Sequence, residues 1–328
     1  MRAAELGPAE AMQIFTSYQD IPASARGSVL TIGNFDGVHR GHQALLREVR
    51  ALARQLEAPA AALVFEPHPR QFFQPDKPHF KLTSLPRKLA LLQRFGVDIA
   101  FVLAFDAAFA ALSADAFVEQ VLLAGLGVRY VVIGYDFRFG LKRTGDPDSL
   151  RRAGAEHGFG VSIVPQVGGA GEVFSSSAIR AELAQGDVGG AADMMGHFWR
   201  IAGTVVGGAG RGSGLGFPTA NLKLPRDVAL GHGIYAVRIH LDGRTYQAAA
   251  YLGTRPTFDD GDPVLELFLF DFAGDLYGRE IEVEFVDFVR ADAKFGSVEA
   301  LQEQMAQDCA RARAILATAP PEPSIALP

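Results

Sequence analysis

The feature that most limits the fold is a change of rhythm past the middle of the chain. From residue 28 to about 165, short β-rich runs alternate with helix-length segments. SVLTIG precedes His39 to Leu56, AAALVF precedes Leu85 to Phe95, IAFVLAF precedes Ala114 to Leu123, RYVVIG precedes Asp148 to His157, and VSIVPQV closes the series. That alternation is the signature of βαβ units. The strand runs are apolar nearly throughout, as expected where helices cover both faces of a parallel sheet. Ligands of such doubly wound sheets sit beyond the carboxyl ends of the strands. The post-strand sequences GNFDGVHRGH, EPHPR and GYDFRFG are therefore expected to converge.

Ser175 to Gln185 reads as one more helix, after which GDVGGAADMMGHFWRIAG changes character. Beyond it IYAVRIHL, TYQAAAYLG, VLELFLFDF and EIEVEFVDFV are separated by turns such as LDGR and FAGD, and only Ser297 to Ala317 looks helical. This pattern predicts an antiparallel barrel or sandwich followed by one helix. One domain is expected over residues 12–186 and a second over 187–317, with 1–11 and the Pro-rich tail 318–328 disordered. Because Met12 opens the first apolar segment, residues 1–11 are read either as an extension or as a mis-assigned start.

Composition narrows the function classes. A formal charge of −6 gives no long-range attraction for polyanions, so nucleic acid is not an expected partner, although a local site can still hold phosphates. Cys309 has no second thiol to bridge with, which points to a reducing compartment. No run reaches the ~18 apolar residues of a membrane span, and MRAAELGPAEA lacks the order of a signal peptide. The expected location is cytoplasmic, away from membranes. Oligomeric state is left open.

Gly33-Asn34-Phe35-Asp36-Gly37-Val38-His39-Arg40-Gly41-His42 follows the first strand and opens a helix. Histidines three apart share a helix face, here at an N-terminus whose free N–H groups and dipole favour anions. Gly37 and Gly41 permit close approach of backbone and ligand. The other readings are incidental histidines or a metal-binding pair, the latter needing further ligands. Ser175, Ser176 and Ser177 cap the next helix or bind phosphate oxygens, with Arg180 a turn along as a bidentate cation.

In the second half, GTVVGGAGRGSGLGFPTANL is too glycine-dense for ordinary core, yet holds neither a Walker A sequence nor a strict GxGxxG. A flexible linker is the plain reading; Pro218 argues against it, and Thr219 and Asn221 present oxygens suited to a hard cation such as Mg2+. Glu266 lies in VLELFLF, where both strand faces are apolar, so its carboxylate is costly unless partnered or functional. An ion pair with Arg255 or Arg279 is the structural alternative.

GNFDGVHRGH, with FEPHP, GYDFRFG and the late SSSAIR segment, resembles the FMN adenylyltransferase module of prokaryotic FAD synthetases, within the nucleotidyltransferase superfamily; the likeness runs from about Gln13 to Gln185. It implies a Rossmann-like nucleotidyltransferase α/β domain with a parallel sheet, transferring AMP from ATP to FMN with release of pyrophosphate. His39, His42 and Arg180 would stabilise charge, with Mg2+ on the phosphates. Gly33, Phe35, Asp36, Gly37, Gly41, Ser176 and Ser177 would contact ATP. Phe65, His68, Asp136 and Phe137 would line the flavin pocket, the aromatics being equally well core. Ser177 stands where the family has threonine.

Residues 201 to 317 resemble the riboflavin kinase domain through GRGSGLGFPTANL, LGTRPTF, the Glu-containing strand, LYGREI and VRADAKFGSVEAL. This implies a riboflavin-kinase-like antiparallel six-stranded β-barrel with a C-terminal helix, phosphorylating riboflavin from ATP. Thr219 and Asn221 would bind Mg-ATP under the loop carrying Gly210, Arg211, Gly216 and Pro218; Glu266 would be the general base, and Arg290 would contact flavin. Tyr251 and Phe268 depart from the asparagine and histidine expected there. The whole chain is thus read as a bifunctional enzyme using ATP, riboflavin and FMN. A protein with one live activity, or a flavin-binding regulator, is the alternative; an NAD-dependent oxidoreductase lacks its fingerprint.

Overall fold

The computed structural model describes residues 11–169, 172–207, 219–225, 227–254 and 263–321. By backbone proximity they form two compact units, one of residues 11–77 and 85–173, the other of 78–84 and 174–321. Of the segments expected to be disordered, 1–11 and 318–328, residues 1–10 and 322–328 lie outside the described residues; Thr318 is helical, and Arg238 Nη2 donates to Ala319 O at 3.1 Å and to Pro320 O at 2.7 Å.

The first unit is a six-stranded parallel sheet in the order β1-β4-β3-β2-β5-β6, made of β1 (Gln13–Phe15), β2 (Val29–Ile32), β3 (Ala60–Glu66), β4 (Ile99–Ala104), β5 (Tyr130–Gly134) and β6 (Gly160–Val164). Every pairing is parallel. Helices α1 (Arg40–Gln55), α2 (Leu85–Arg94) and α3 (Pro147–His157) follow three of the strands. On one face α1 packs Leu45, Val49 and Ala53 against Val29, Ala60 and Val132. On the other, Leu30, Leu63, Phe101 and Ile133 meet Val118, Val121 and Leu122 of the helical segment 114–125. Burial on both faces is why these strands read as unbroken apolar runs. The chain leaves β2 first towards β3 and later towards β5, so the switch point lies beyond the ends of β2 and β5. A ribbon of two-residue strands, β7 (Gly168–Gly169) and β8 (Glu172–Val173), follows.

The second unit contains a closed barrel, ordered β10-β13-β12-β11-β14-β9. Its strands are β9 (Arg200–Val206), β10 (Ala220–Lys223), β11 (Gly233–Leu241), β12 (Arg244–Thr254), β13 (Pro263–Leu269) and β14 (Glu280–Ala291). Of the two arrangements the sequence left open, the barrel forms. Alternation sends Leu222, Val237, Leu252, Leu265, Leu267 and Phe285 inward. Outward-facing Ala236, Ala249, Phe270 and Val286 receive Ala312 and Leu316 of helix α6 (Val298–Thr318). Helices α4 (Ser176–Gln185) and α5 (Val188–Met195) join the barrel core through Ile179, Leu183, Val188 and Met195. Segment 78–84 also packs here: the indole Nε1 of Trp199 donates to Leu82 O at 3.0 Å, and Phe80 meets the indole edge-on at 5.6 Å. Among the described residues, no helix is long and apolar enough to cross a membrane.

Candidate active sites

Loop 33–39 turns tightly out of β2, with φ of +48° at Phe35, +83° at Gly37 and +39° at Val38. A left-handed β-branched residue is costly and persists only where its surroundings hold it. Here Gln43 Nε2 donates to Val38 O at 2.9 Å and the Val38 N–H donates to Phe35 O at 3.3 Å. The turn delivers His39 as the N-cap of α1, its Nδ1 accepting the His42 N–H at 3.4 Å. That bond leaves Nε2 as the His39 donor. One turn on, the two imidazoles stack with centroids 3.7 Å apart, and Phe35 packs 5.0 Å from His42. Phe35 is fully buried, so only its backbone is offered to a ligand.

Burial, and then the charges of His39 and Lys88, hold the His42 imidazole well below its ordinary pKa. The resting ring is neutral at pH 7, and its Nδ1 is buried with no hydrogen-bond partner. An anion at the α1 N-terminus would oppose that effect, because it favours the charged imidazole. Lys88, buried on α2, escaped the sequence reading; its position three and four residues before Leu91 and Leu92 was the available signal, since all three share the inward face.

The other post-strand loops end at the same sheet edge. His68 caps the short helix Pro69–Phe73, its Nδ1 accepting the Arg70 N–H at 3.1 Å. Phe65 belongs to an aromatic cluster not foreseen from sequence, 5.4 Å from Phe105 and 5.1 Å from Phe109, with Phe72 on Phe105 at 5.5 Å. Asp36 is buried and Asp136 exposed. Phe137 stacks on Phe139 at 5.5 Å and packs against the sheet core, its structural alternative. Ser176, Ser177 and Arg180 lie on α4 in the second unit. Ser175 caps that helix by accepting the Ala178 N–H at 3.1 Å; Arg180 Nε donates to Phe80 O at 2.6 Å and its Nη1 to Ser176 O at 3.1 Å. No group of three His, Cys, Asp or Glu side chains forms a metal cluster among the described residues, so the zinc reading of the histidine pair finds no ligand set there.

On the barrel, directly opposed residues form one transverse row on the outer face. Asn221 of β10 pairs with Glu266 of β13, Glu266 with Tyr251 of β12, Tyr251 with Ile234 of β11, and Ile234 with Arg290 of β14. The row runs under a cavity of about 380 Å³ between the barrel and α6, lined by Thr219, Glu266, Tyr251, Phe268, Phe295 and Met305 among others. Glu266 is half-buried, with Leu265 and Leu267 inside the barrel on either side. Asn221 is 3% exposed. A hydroxyl at Thr219 and an amide oxygen at Asn221, one strand from a carboxylate, form a hard oxygen donor set that fits Mg2+. Arg279, one proposed partner of Glu266, is on Asp242; Arg255 lies outside the described residues. Arg290 lines the cavity while giving Nε and Nη2 to the two oxygens of Asp308 on α6, each at 2.8 Å.

The FAD synthetase family matches residues 21–178 and the riboflavin kinase family residues 195–316. A bifunctional riboflavin kinase/FMN adenylyltransferase from Pseudomonas fluorescens is 42% identical over 93% of this chain and 98% of its own length. This chain belongs to the bifunctional riboflavin kinase/FMN adenylyltransferase family. The relative of that name from Escherichia coli is 41% identical, covering 89% of this chain and 93% of its own. A solved structure described as a macrolide-efflux protein from Streptococcus pneumoniae shares the fold, with a TM-score of 0.82, 30% identity, and coverage of 90% of this chain and 97% of that one.

Within the riboflavin kinase/FMN adenylyltransferase family, both matched regions carry their motifs here. The glycine-rich loop residues Gly210, Arg211, Gly216 and Pro218 lie outside the described residues. Tyr251, a departure from the family pattern, stands beside Glu266 in the row and donates its hydroxyl to Asp292 Oδ2 at 3.3 Å. Phe268, the other departure, meets Phe270 edge-on at 5.8 Å.

Proposed function

We propose that the cavity between the barrel and α6 takes riboflavin, and that Glu266 accepts the proton of its terminal ribityl hydroxyl as that oxygen attacks the γ-phosphorus of ATP. The bond from the γ-phosphorus to the β–γ bridging oxygen breaks, leaving FMN, ADP and a proton on Glu266. The observation that carries this reading is the transverse row, which sets a half-buried carboxylate beside Asn221 under an apolar cavity. An alcohol keeps its proton at pH 7, so a positioned carboxylate has one to take. Thr219 and Asn221 would hold Mg2+, which when bound neutralises charge on the ATP phosphates.

In the first unit, FMN supplies a phosphate oxygen that attacks the α-phosphorus of ATP, and the bond to the α–β bridging oxygen breaks to release pyrophosphate. That nucleophile is already ionised and needs no base. His39, His42 and the N-terminus of α1 act by positioning and charge stabilisation. Ser176, Ser177 and Arg180 are assigned to phosphate binding on the resemblance of their segment. Phe65 and His68 are assigned to the flavin. A cytoplasmic location is proposed on the single unpaired cysteine.

The test is incubation with riboflavin, ATP and Mg2+, with flavins separated by chromatography. Glu266→Gln is expected to stop FMN formation while FAD production from supplied FMN continues, and His42→Ala to do the reverse. Equal loss of both steps in folded variants, or no flavin product from the parent, would refute the assignment.

A further inference from the structure

The departure at Tyr251 has a structural context of its own. The side chain lies along β12 over Gly253, where an added Cβ would come within 2.2 Å of the phenol oxygen and 2.4 Å of the ring. The φ of Gly253 is not left-handed, so this glycine provides room, not backbone freedom. From that seat the hydroxyl donates to Asp292 Oδ2, just beyond the end of β14. Asp292 Oδ1 accepts the Ala293 N–H at 2.9 Å, fixing the turn that follows. Asp292, Ala293 and Phe295 all line the cavity. The same short segment is gripped from its other side by Arg290, whose Nη1 donates to Ala291 O at 2.8 Å and whose guanidinium lies 5.6 Å from the Phe295 ring centroid.

We propose that Tyr251 is a positioning residue for the kinase substrate: seated on Gly253 and bonded to Asp292, it holds residues 292–295 as the cavity wall against which the planar flavin ring packs beside Glu266. This rests on the riboflavin kinase reading above. The tether acts on binding and not on proton transfer, because the phenol is engaged with Asp292 while Glu266 is the base. The wall carries Phe295, and its placement sets the width of the slot open to a flat, three-ring substrate.

The experiment compares Tyr251→Phe, Gly253→Ala and the double variant with the parent. It reads riboflavin KM and kcat for FMN formation, and riboflavin affinity without ATP by quenching of flavin fluorescence. Loss of one exposed hydrogen bond is expected to raise KM and the dissociation constant roughly three- to tenfold, with kcat changing far less. Gly253→Ala, which keeps both bonding partners but displaces the ring, is expected to match it, and the double variant to add little beyond either. Parental riboflavin affinity in Tyr251→Phe, or a fall in kcat at constant KM, overturns the proposal. A parent that binds riboflavin but makes no FMN counts against the kinase reading alone; weakened binding in Tyr251→Phe still supports the tether, and unchanged binding still overturns it.

Discussion

Replacing Glu284 by glutamine is expected to destabilise the barrel unit by about 3 kcal/mol, and the reasoning starts from an ionic cluster on the outer barrel face. Glu284, 1% exposed, accepts from Arg200 Nε at 2.7 Å, Arg238 Nη1 at 2.8 Å and His240 Nε2 at 3.3 Å. Burial by itself would raise its pKa. The hydrogen bond from His240, the charge of Arg200 and the bond from Arg238 outweigh burial and bring it from 4.5 to about 2. At ~1.4 kcal/mol for each pH unit, that drop corresponds to about 3 kcal/mol of stability. The folded value is the lower one, so this contribution is complete above pH 4.5 and is lost as pH falls towards 2. A second route gives a similar size, since removing one partner of a buried pair strands the remaining charges at ~3–5 kcal/mol. Trp199, the only tryptophan of the chain, is buried beside the cluster, 4.8 Å from the Phe285 ring, so its fluorescence reports on this unit. A loss of that size should lower the Trp199 unfolding midpoint at pH 7 by roughly 6–12 °C. The gap between parent and variant should close between pH 4.5 and 2. A gap under about 2 °C at pH 7, or one independent of pH, would refute the argument.

Two further outcomes are expected. Gly140 ends the GYDFRFG loop at φ +72°, and a Cβ there would lie 2.6 Å from the backbone nitrogen of Ala114; Gly140→Ala should therefore cost about 2 kcal/mol or more, seen as an earlier unfolding transition by circular dichroism. Cys309 lines the cavity between the barrel and α6, and burial, followed by the charge of Asp308, pushes its thiol up to about 11. Its reaction with a thiol reagent should be on the order of a hundredfold slower at pH 8 than for a free cysteine, and should rise steeply towards pH 11; a fast reaction at pH 8 would contradict the packing.

The sequence was most informative where local chemistry decides structure. The apolar strands of the parallel sheet and the amphipathic α1 opened by His39 announce themselves through periodicity, whereas VLELFLF, apolar on both faces, left barrel and sandwich equally open. The edge strand β1 was not visible, because three residues with exposed Gln13 and Ile14 carry no period. Helix α5 hid behind Gly189 and Gly190, whose low propensity is overridden by the Asp187 cap, bonded to the Gly190 N–H at 2.7 Å, and by burial of Val188, Ala191 and Met195. Segment 78–84 packs with Trp199 and Arg180, more than ninety residues away, and no local pattern encodes such a pairing. The Phe65 cluster and the Glu284 network are likewise defined by neighbours in space, whereas Lys88 carried a local signal in its helical spacing to Leu91 and Leu92.

The two sites differ because their nucleophiles do. An alcohol must lose a proton as it reacts, and on the reading proposed above the barrel sets one carboxylate, Glu266, under an apolar cavity, between Asn221 and Tyr251 of the neighbouring strands. A phosphate brings its own charge, and a second carboxylate at the attack site would repel it. The first unit instead presents two stacked imidazoles on a helix N-terminus, that of His42 neutral at rest. On that reading, a bound polyanion would favour the charged imidazole, so the positive charge of the site would depend on occupancy. A permanently charged lysine at position 42 would retain affinity for phosphates but lose this dependence, and it would strand an ammonium group against His39 and Lys88 whenever the site is empty.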